Sequence, residues 1–142
     1  SVPDPDLARF RAAQDADGTY DRALGELRRG RKTSHWMWFV FPQIAGLGLS
    51  ATSRRYALTG LDEARAYLAD AVLGPRLRAC AQALLDVDGG SAEAILGPID
   101  AVKLRSSMTL FSRADSDSRL WDAVLARFFA GEPDPQTLAL IG

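Results

Sequence analysis

The sequence KTSHWMWFVFPQIAGLGLSATS, residues 32–53, decides how the rest of the chain is organised. It contains two of the three tryptophans, two of the six phenylalanines and the single histidine, and it continues into a Gly-Leu-Gly turn followed by hydroxyl residues. Aromatic, apolar and hydrogen-bonding side chains in one place are typical of a ligand pocket. The stretch therefore predicts where a ligand binds, but it contains no pattern specific to one reaction.

Length, composition and charge predict a single globular domain over residues 1–142. A chain of 142 residues with 47% hydrophobic and 25% charged residues is long enough to form one packed core. Its formal net charge of −1 lacks the basic excess typical of proteins that bind nucleic acid or anionic membranes. We therefore expect no nucleic-acid partner and no membrane partner, and either a monomer or a weak homodimer.

Two further observations predict a cytoplasmic location. Cys80 is the single cysteine, so no disulfide forms within the chain and a reducing compartment is expected. No apolar run approaches the roughly 20 residues of a membrane-spanning helix, and no signal-peptide pattern is present.

Apolar side chains recur at helical spacing along most of the chain. The clearest helices predicted in this way cover residues 61–69, 70–87, 99–112 and 120–128. Ser91 and Asp134 are placed to cap two shorter helices, and Asp4 or Asp6 to cap a first helix that runs to about Gln14. The prediction is an all-α, compact bundle of about seven short helices.

The aromatic stretch itself has two structural interpretations. One is a helix of one or two turns that begins at a Ser34 cap and ends before Pro42, because the residue before a proline disfavours helical backbone. The other is a short extended segment from Trp36 to Phe41, since periodicity does not distinguish strand from helix over so few residues. We favour the helix, followed by a loop at the Gly-Leu-Gly sequence.

His35 and Glu63 are the candidates for acid–base catalysis. Histidine is the residue type that changes charge near neutral pH, and cleavage of an N-glycosidic bond needs a carboxylate beside the forming oxocarbenium ion. Asp100 is a second candidate carboxylate. Each residue also has a structural interpretation, as a hydrogen-bond donor to the backbone or as a helix cap. No metal site and no cofactor is predicted, because the chain has no second histidine, no CxxC and no HExxH.

Trp36, Trp38 and Gln43 are the candidates for binding a flat ring. Either indole would stack on the ring, and the Gln43 amide would supply a donor and an acceptor for its edge. The alternative interpretation is that most of the aromatic residues in this stretch belong to the hydrophobic core.

Two groups of residues are candidates for contact with an anion. Gly46, Gly48, Ser50 and Ser53 would hold a phosphate with backbone amides at a helix start; the alternative is a tight turn with a serine cap, since neither a P-loop nor a dinucleotide pattern is present. Lys103 is the second anion candidate, and Ser106 and Ser107, within two turns of it on one predicted helix, are candidates for contact with the same ligand. A serine nucleophile activated by lysine is not predicted, because it needs a deprotonated lysine and an oxyanion hole.

Several blocks of the sequence are similar to one known family. The blocks are SHWMWFVFPQIAGLGLSATSRRYAL, EARAYL, LGPRL, DAVKLRSSMTLF and FFAGEPDPQTLALI. The chain resembles a small bacterial family of unknown function, the "DUF eighteen-ten" family, sometimes mislabelled calpastatin-like. The resemblance implies a compact all-helical domain. The polar positions that match the family are His35, Gln43, Ser50, Ser53, Tyr56, Lys103, Ser106 and Ser107, and Tyr56 is a further candidate for ligand binding.

These observations predict a pocket for a nucleotide-like small molecule. A fainter resemblance, in helical layout and a late lysine–methionine–phenylalanine helix, is to N-glycosidases associated with NAD and ADP-ribose, and it implies an ADP-ribose-type or N-glycoside hydrolase. The alternative is a non-catalytic interaction module that uses the aromatic stretch as a groove for a partner. One pocket lined by His35, Gln43 and Lys103 would favour the first hypothesis, and a flat apolar surface the second.

Overall fold

The computed structural model describes residues 6–142, so the predicted capping role of Asp4 lies outside the described residues. Within this range the chain forms α-helices, one 3-10 turn and no strand. The helices are α1 Ala8–Asp15, α2 Thr19–Arg28, α3 Met37–Val40, α4 Ala51–Arg55, α5 Leu61–Ala69, α6 Leu73–Asp86, α7 Ala92–Leu96, α8 Pro98–Ala114, α9 Arg119–Phe129 and α10 Pro135–Ile141. The all-α prediction is confirmed, with more helices than the seven or so expected.

Helix α8 lies at the centre and packs against α5, α7, α9 and α10. Its buried residues Leu104, Met108 and Phe111 follow helical spacing and belong to a core cluster that extends from α1 to α9. The Phe111 ring lies 5.6 Å from that of Tyr67 and 5.7 Å from that of Trp121, measured between ring centres. No helix in residues 6–142 has the length and apolar character needed to cross a membrane.

Several predicted helix starts are confirmed. The hydroxyl of Ser91 accepts a hydrogen bond from the Ala94 amide at 3.1 Å, and the Asp134 carboxylate accepts one from the Thr137 amide at 3.0 Å. The prediction of Ser34 as a helix cap is wrong. Its hydroxyl instead donates to the carboxylate of Glu26, at 2.5 Å.

The aromatic stretch is helical, and the extended alternative from Trp36 to Phe41 is wrong. Extended pairing occurs just after it, where Ile44 and Leu58 form a parallel bridge. The Ala45 amide donates to the Leu58 carbonyl at 2.7 Å, and the Leu58 amide donates to the Gln43 carbonyl at 2.9 Å. The bridge holds together the two ends of the segment that contains the Gly-Leu-Gly loop and α4.

Ser106 and Ser107, both predicted to bind a ligand, lie in the protein interior, with 1% and 0% of their surface exposed. The Ser106 hydroxyl is 3.0 Å from that of Thr137 and so joins α8 to α10. The Ser107 hydroxyl has no hydrogen-bond partner within residues 6–142. Both side chains are buried, and the structure does not bring either of them to the two hollows that border Trp38.

Replacing these neighbouring serines should affect stability differently. Ser106→Ala removes a buried hydrogen bond and is expected to lower the free energy of unfolding by about 1 kcal/mol. Ser107→Ala removes a buried hydroxyl without a partner, so stability should be unchanged or higher. Urea denaturation of the two variants measures both effects. A larger loss for Ser107→Ala than for Ser106→Ala would contradict this assignment.

Candidate functional site

The carboxylate of Glu26, near the end of α2, fixes the start of the aromatic stretch. Glu26 is 1% exposed. Its oxygens accept hydrogen bonds from the amides of Thr33 and Ser34 at 2.7 and 3.0 Å, from the Ser34 hydroxyl at 2.5 Å and from the indole Nε1 of Trp36 at 3.0 Å. These contacts fix the backbone of residues 33–36, and with it the positions of His35 and of the preceding residue, Lys32.

The same contacts keep Glu26 ionised. Burial opposes its ionisation, but the hydrogen bonds from Ser34, Thr33 and Trp36 outweigh burial and lower the pKa of Glu26 from 4.5 to about 2. Sequence reasoning overlooked this residue, because a glutamate on an amphipathic helix is normally solvated. Trp36, predicted to stack on a ligand, is fully buried and donates to Glu26 instead.

The other end of α3 is fixed by two buried side chains. The Gln14 amide donates to the Phe39 carbonyl at 2.8 Å, and the Tyr67 hydroxyl donates to the same oxygen at 3.2 Å. Arg76 in turn donates to the Gln14 side-chain oxygen at 3.3 Å. A single helical turn leaves its last carbonyls without helical partners, so these bonds hold α3, and with it the half-buried indole of Trp38, in place.

One side of Trp38 borders a small hollow of about 140 Å³, here called the aromatic hollow. Six predicted ligand-binding residues line it: Trp38, Gln43, Gly46, Gly48, Ser53 and Tyr56. The side-chain amide of Gln43 has no hydrogen-bond partner in the described part of the chain, residues 6–142. The structure therefore brings this set of residues together.

The glycines of this hollow allow close packing. A Cβ atom on Gly48 would lie 2.5 Å from the Ser53 side chain, which is closer than carbon atoms approach. Gly46 has a φ of +105°, in the region that favours glycine. Ser50 caps the five-residue helix α4, and its hydroxyl bonds to that of Ser53 at 2.9 Å. This arrangement has the geometry of the tight turn with a serine cap. Ser50 does not line the hollow.

A second hollow of about 360 Å³ also borders Trp38 and is here called the lysine cleft. It contains the only two lysines of the chain, Lys32 and Lys103, together with Asp100 and His35. Lys32 Nζ lies 2.9 Å from Asp100 Oδ2, and Lys103 Nζ lies 3.5 Å from Asp100 Oδ1. Lys103 Nζ also lies 4.4 Å from the centre of the Trp38 ring, a cation–π contact.

The structure does not bring His35, Gln43 and Lys103 together in one pocket. Gln43 lines the aromatic hollow, whereas His35 and Lys103 line the lysine cleft, and Trp38 borders both. Lys32 was not among the predicted site residues, because only tertiary packing brings it to Lys103.

Glu63, predicted as a catalytic base, lines neither hollow. Its carboxylate accepts a hydrogen bond from the Thr59 amide at 3.2 Å and pairs with Arg9 at 3.3 Å. Arg9 also donates to the carbonyls of Arg55 and Ala57, at 2.7 and 3.0 Å. Glu63 therefore binds the residue before the α5 N-cap and is linked through Arg9 to the backbone at Arg55 and Ala57, and the structure does not bring it together with His35.

The chain belongs to the family described as "Protein of unknown function (DUF1810)", whose model matches residues 4–141. It is similar to a solved structure, the conserved hypothetical protein Rv1873 from Mycobacterium tuberculosis. The two are 48% identical, 96% of each chain is covered, and the TM-score is 0.93. No match was found among the curated proteins. The family resemblance predicted from the sequence is confirmed.

Replacing Glu26 should make stability depend less on pH. Because the pKa of Glu26 is lower in the folded protein, its stabilisation is fully present above about pH 4.5 and is lost as pH falls towards 2. Glu26→Gln is therefore expected to cost about 3 kcal/mol of unfolding free energy near neutral pH, and progressively less below pH 4.5. Denaturation at several pH values measures this difference.

Glu93→Gln, at an exposed position on α7, is the matched control and should change stability little at any pH. A cost of Glu26→Gln that stays constant between pH 5 and pH 2.5 would be incompatible with the lowered pKa.

Proposed function

We propose that the protein binds a small nucleotide-like molecule, with its flat ring in the aromatic hollow. The single observation that supports this most is the convergence of Trp38, Gln43 and Tyr56 on one hollow. An aromatic wall with an amide that lacks a protein partner suits a heterocycle, which offers both a π-face and hydrogen-bonding edges.

The size of the hollow limits what it accepts. Ligand pockets commonly measure about 300–1,000 Å³, and an apolar cavity of roughly 150 Å³ holds one benzene molecule. At about 140 Å³ the aromatic hollow suits one ring rather than a whole nucleotide. The remainder of such a ligand would extend past Trp38 towards the lysine cleft.

A more specific proposal is that the protein hydrolyses an N-glycosidic bond. This reaction requires a free carboxylate near the sugar. Asp100 borders the lysine cleft, but its two oxygens pair with Lys32 and Lys103. Glu63 lines neither hollow. We therefore favour binding, and propose Asp100 with His35 as the pair to test for hydrolase activity.

The alternative, an interaction module, has less support from the aromatic stretch itself. Trp36 and Phe41 are fully buried, so they offer no groove to a partner. Of the large apolar side chains that are exposed, Leu49 lies within residues 32–53, whereas Ile99 and Val102 lie on α8.

A thermal-shift and calorimetric screen with uncharged nucleosides tests the proposed function. A nucleoside at 100 times its Kd should raise the free energy of unfolding by about 2.7 kcal/mol. Gln43→Ala should weaken its binding about tenfold, because the ring loses a hydrogen-bond partner in a restricted site. Gln82→Ala removes the same amide from an exposed position on α6 and should have no effect. Absence of nucleoside binding, or binding that Gln43→Ala leaves unchanged, would contradict the proposal.

A further inference from the structure

We propose that the lysine cleft is an oxyanion subsite, in which Lys32 and Lys103 bind a phosphate group of the ligand and Asp100 competes for the same two ammonium groups. The inference rests on the proposed function in one respect only, namely that the phosphate is attached to a ligand whose ring binds in the aromatic hollow.

The charges of the cluster do not balance. Two ammonium groups share one carboxylate, so the Lys32–Asp100–Lys103 cluster has one excess positive charge. The side chains of Lys32, Asp100 and Lys103 are only 8%, 17% and 21% exposed. Charges that are largely removed from water are normally compensated, because desolvation is costly. An oxyanion entering the cleft would supply the missing negative charge.

Aromatic rings position both lysines without neutralising them. Lys32 Nζ lies 5.1 Å from the centre of the Trp36 ring, and Lys103 Nζ lies 4.4 Å from that of Trp38. A cation–π contact orients an ammonium group and leaves its full charge available to an anion. Lysine also binds phosphate as a compact point charge, whereas a guanidinium would present a wider planar fork.

The position of Lys103 connects the two hollows. Its ammonium group contacts the indole of Trp38, which is also a wall of the aromatic hollow. An anion bound to Lys103 would therefore lie close to a ring bound beside the same indole. A heterocycle joined through a sugar to a phosphate has this arrangement, so the ligand class we infer is a nucleoside phosphate.

A purely structural ion cluster makes the opposite prediction for Asp100. If Asp100 only holds the lysines in place, its removal should disorder them and weaken anion binding. If Asp100 competes with the anion, Asp100→Asn should strengthen binding, because a like charge a few ångströms from the bound oxyanion is removed.

Calorimetric titration with inorganic pyrophosphate tests the subsite directly. Lys103→Met should weaken binding about tenfold, since it removes a charge-assisted hydrogen bond, and Lys103→Arg should restore much of the affinity. Asp100→Asn should strengthen binding about threefold. Arg113→Met, a loss of the same charge at an exposed position on α8, is the control and should have no effect. Weaker or unchanged binding in Asp100→Asn, or unchanged binding in Lys103→Met, would overturn the inference.

Adenosine and adenosine monophosphate separate this inference from the proposed function. We expect the monophosphate to bind more tightly than adenosine, and Lys103→Met to abolish only that gain. If adenosine does not bind but pyrophosphate follows the pattern above, the proposed function fails and the subsite stands. If adenosine binds and the phosphate adds nothing, the subsite inference fails alone.

Discussion

The candidate site depends on one buried carboxylate and the four hydrogen bonds that it accepts. Glu26 is ionised in the interior, and no ion pair to it occurs within residues 6–142. A buried charge that is stabilised only by hydrogen bonds becomes very unfavourable when those bonds are broken. Any movement of residues 33–36 away from Glu26 would therefore lower the free energy of unfolding. This constraint sets the position of Trp36 and of Lys32, and through them the start of α3.

Helix α3 is a single turn, and a helix this short is not stable by itself. Its stability comes from its two ends. Glu26 fixes the residues before it, and Gln14 with Tyr67 binds the Phe39 carbonyl at its end. The half-buried Trp38, which lines both hollows, is therefore held through both ends of its helix. Rigid placement of a side chain reduces the entropy lost when a ligand binds to it.

The parts of the structure that sequence predicted well depend on neighbours along the chain. Helical periodicity and the Ser91 and Asp134 caps are local, and so is the aromatic hollow, since all of its lining residues lie within residues 38–57. Two glycines and a serine cap close that segment into a turn, so residues near each other in sequence meet in space. The association of Trp38, Gln43 and Tyr56 follows from this local geometry.

The parts that sequence did not predict depend on packing between distant segments. Lys32 and Lys103 are 71 positions apart, and they meet only because the residues before α3 lie against the start of α8. Ser106 and Ser107 look like surface residues in a helical pattern, yet both are buried, Ser106 against Thr137 of α10. The role of Glu26 depends equally on a loop folding back onto α2. No spacing rule within one helix contains this information.

The central claim is that an ionised Glu26 holds the aromatic stretch through Trp36. An NMR titration that follows the side-chain carboxyl carbon of Glu26 and the indole N–H of Trp36 tests it most directly. We predict a midpoint of about 2 for the carboxyl signal, with the indole signal changing in the same step. A midpoint near 4.5, or an indole signal that does not respond to the titration, would contradict the claim.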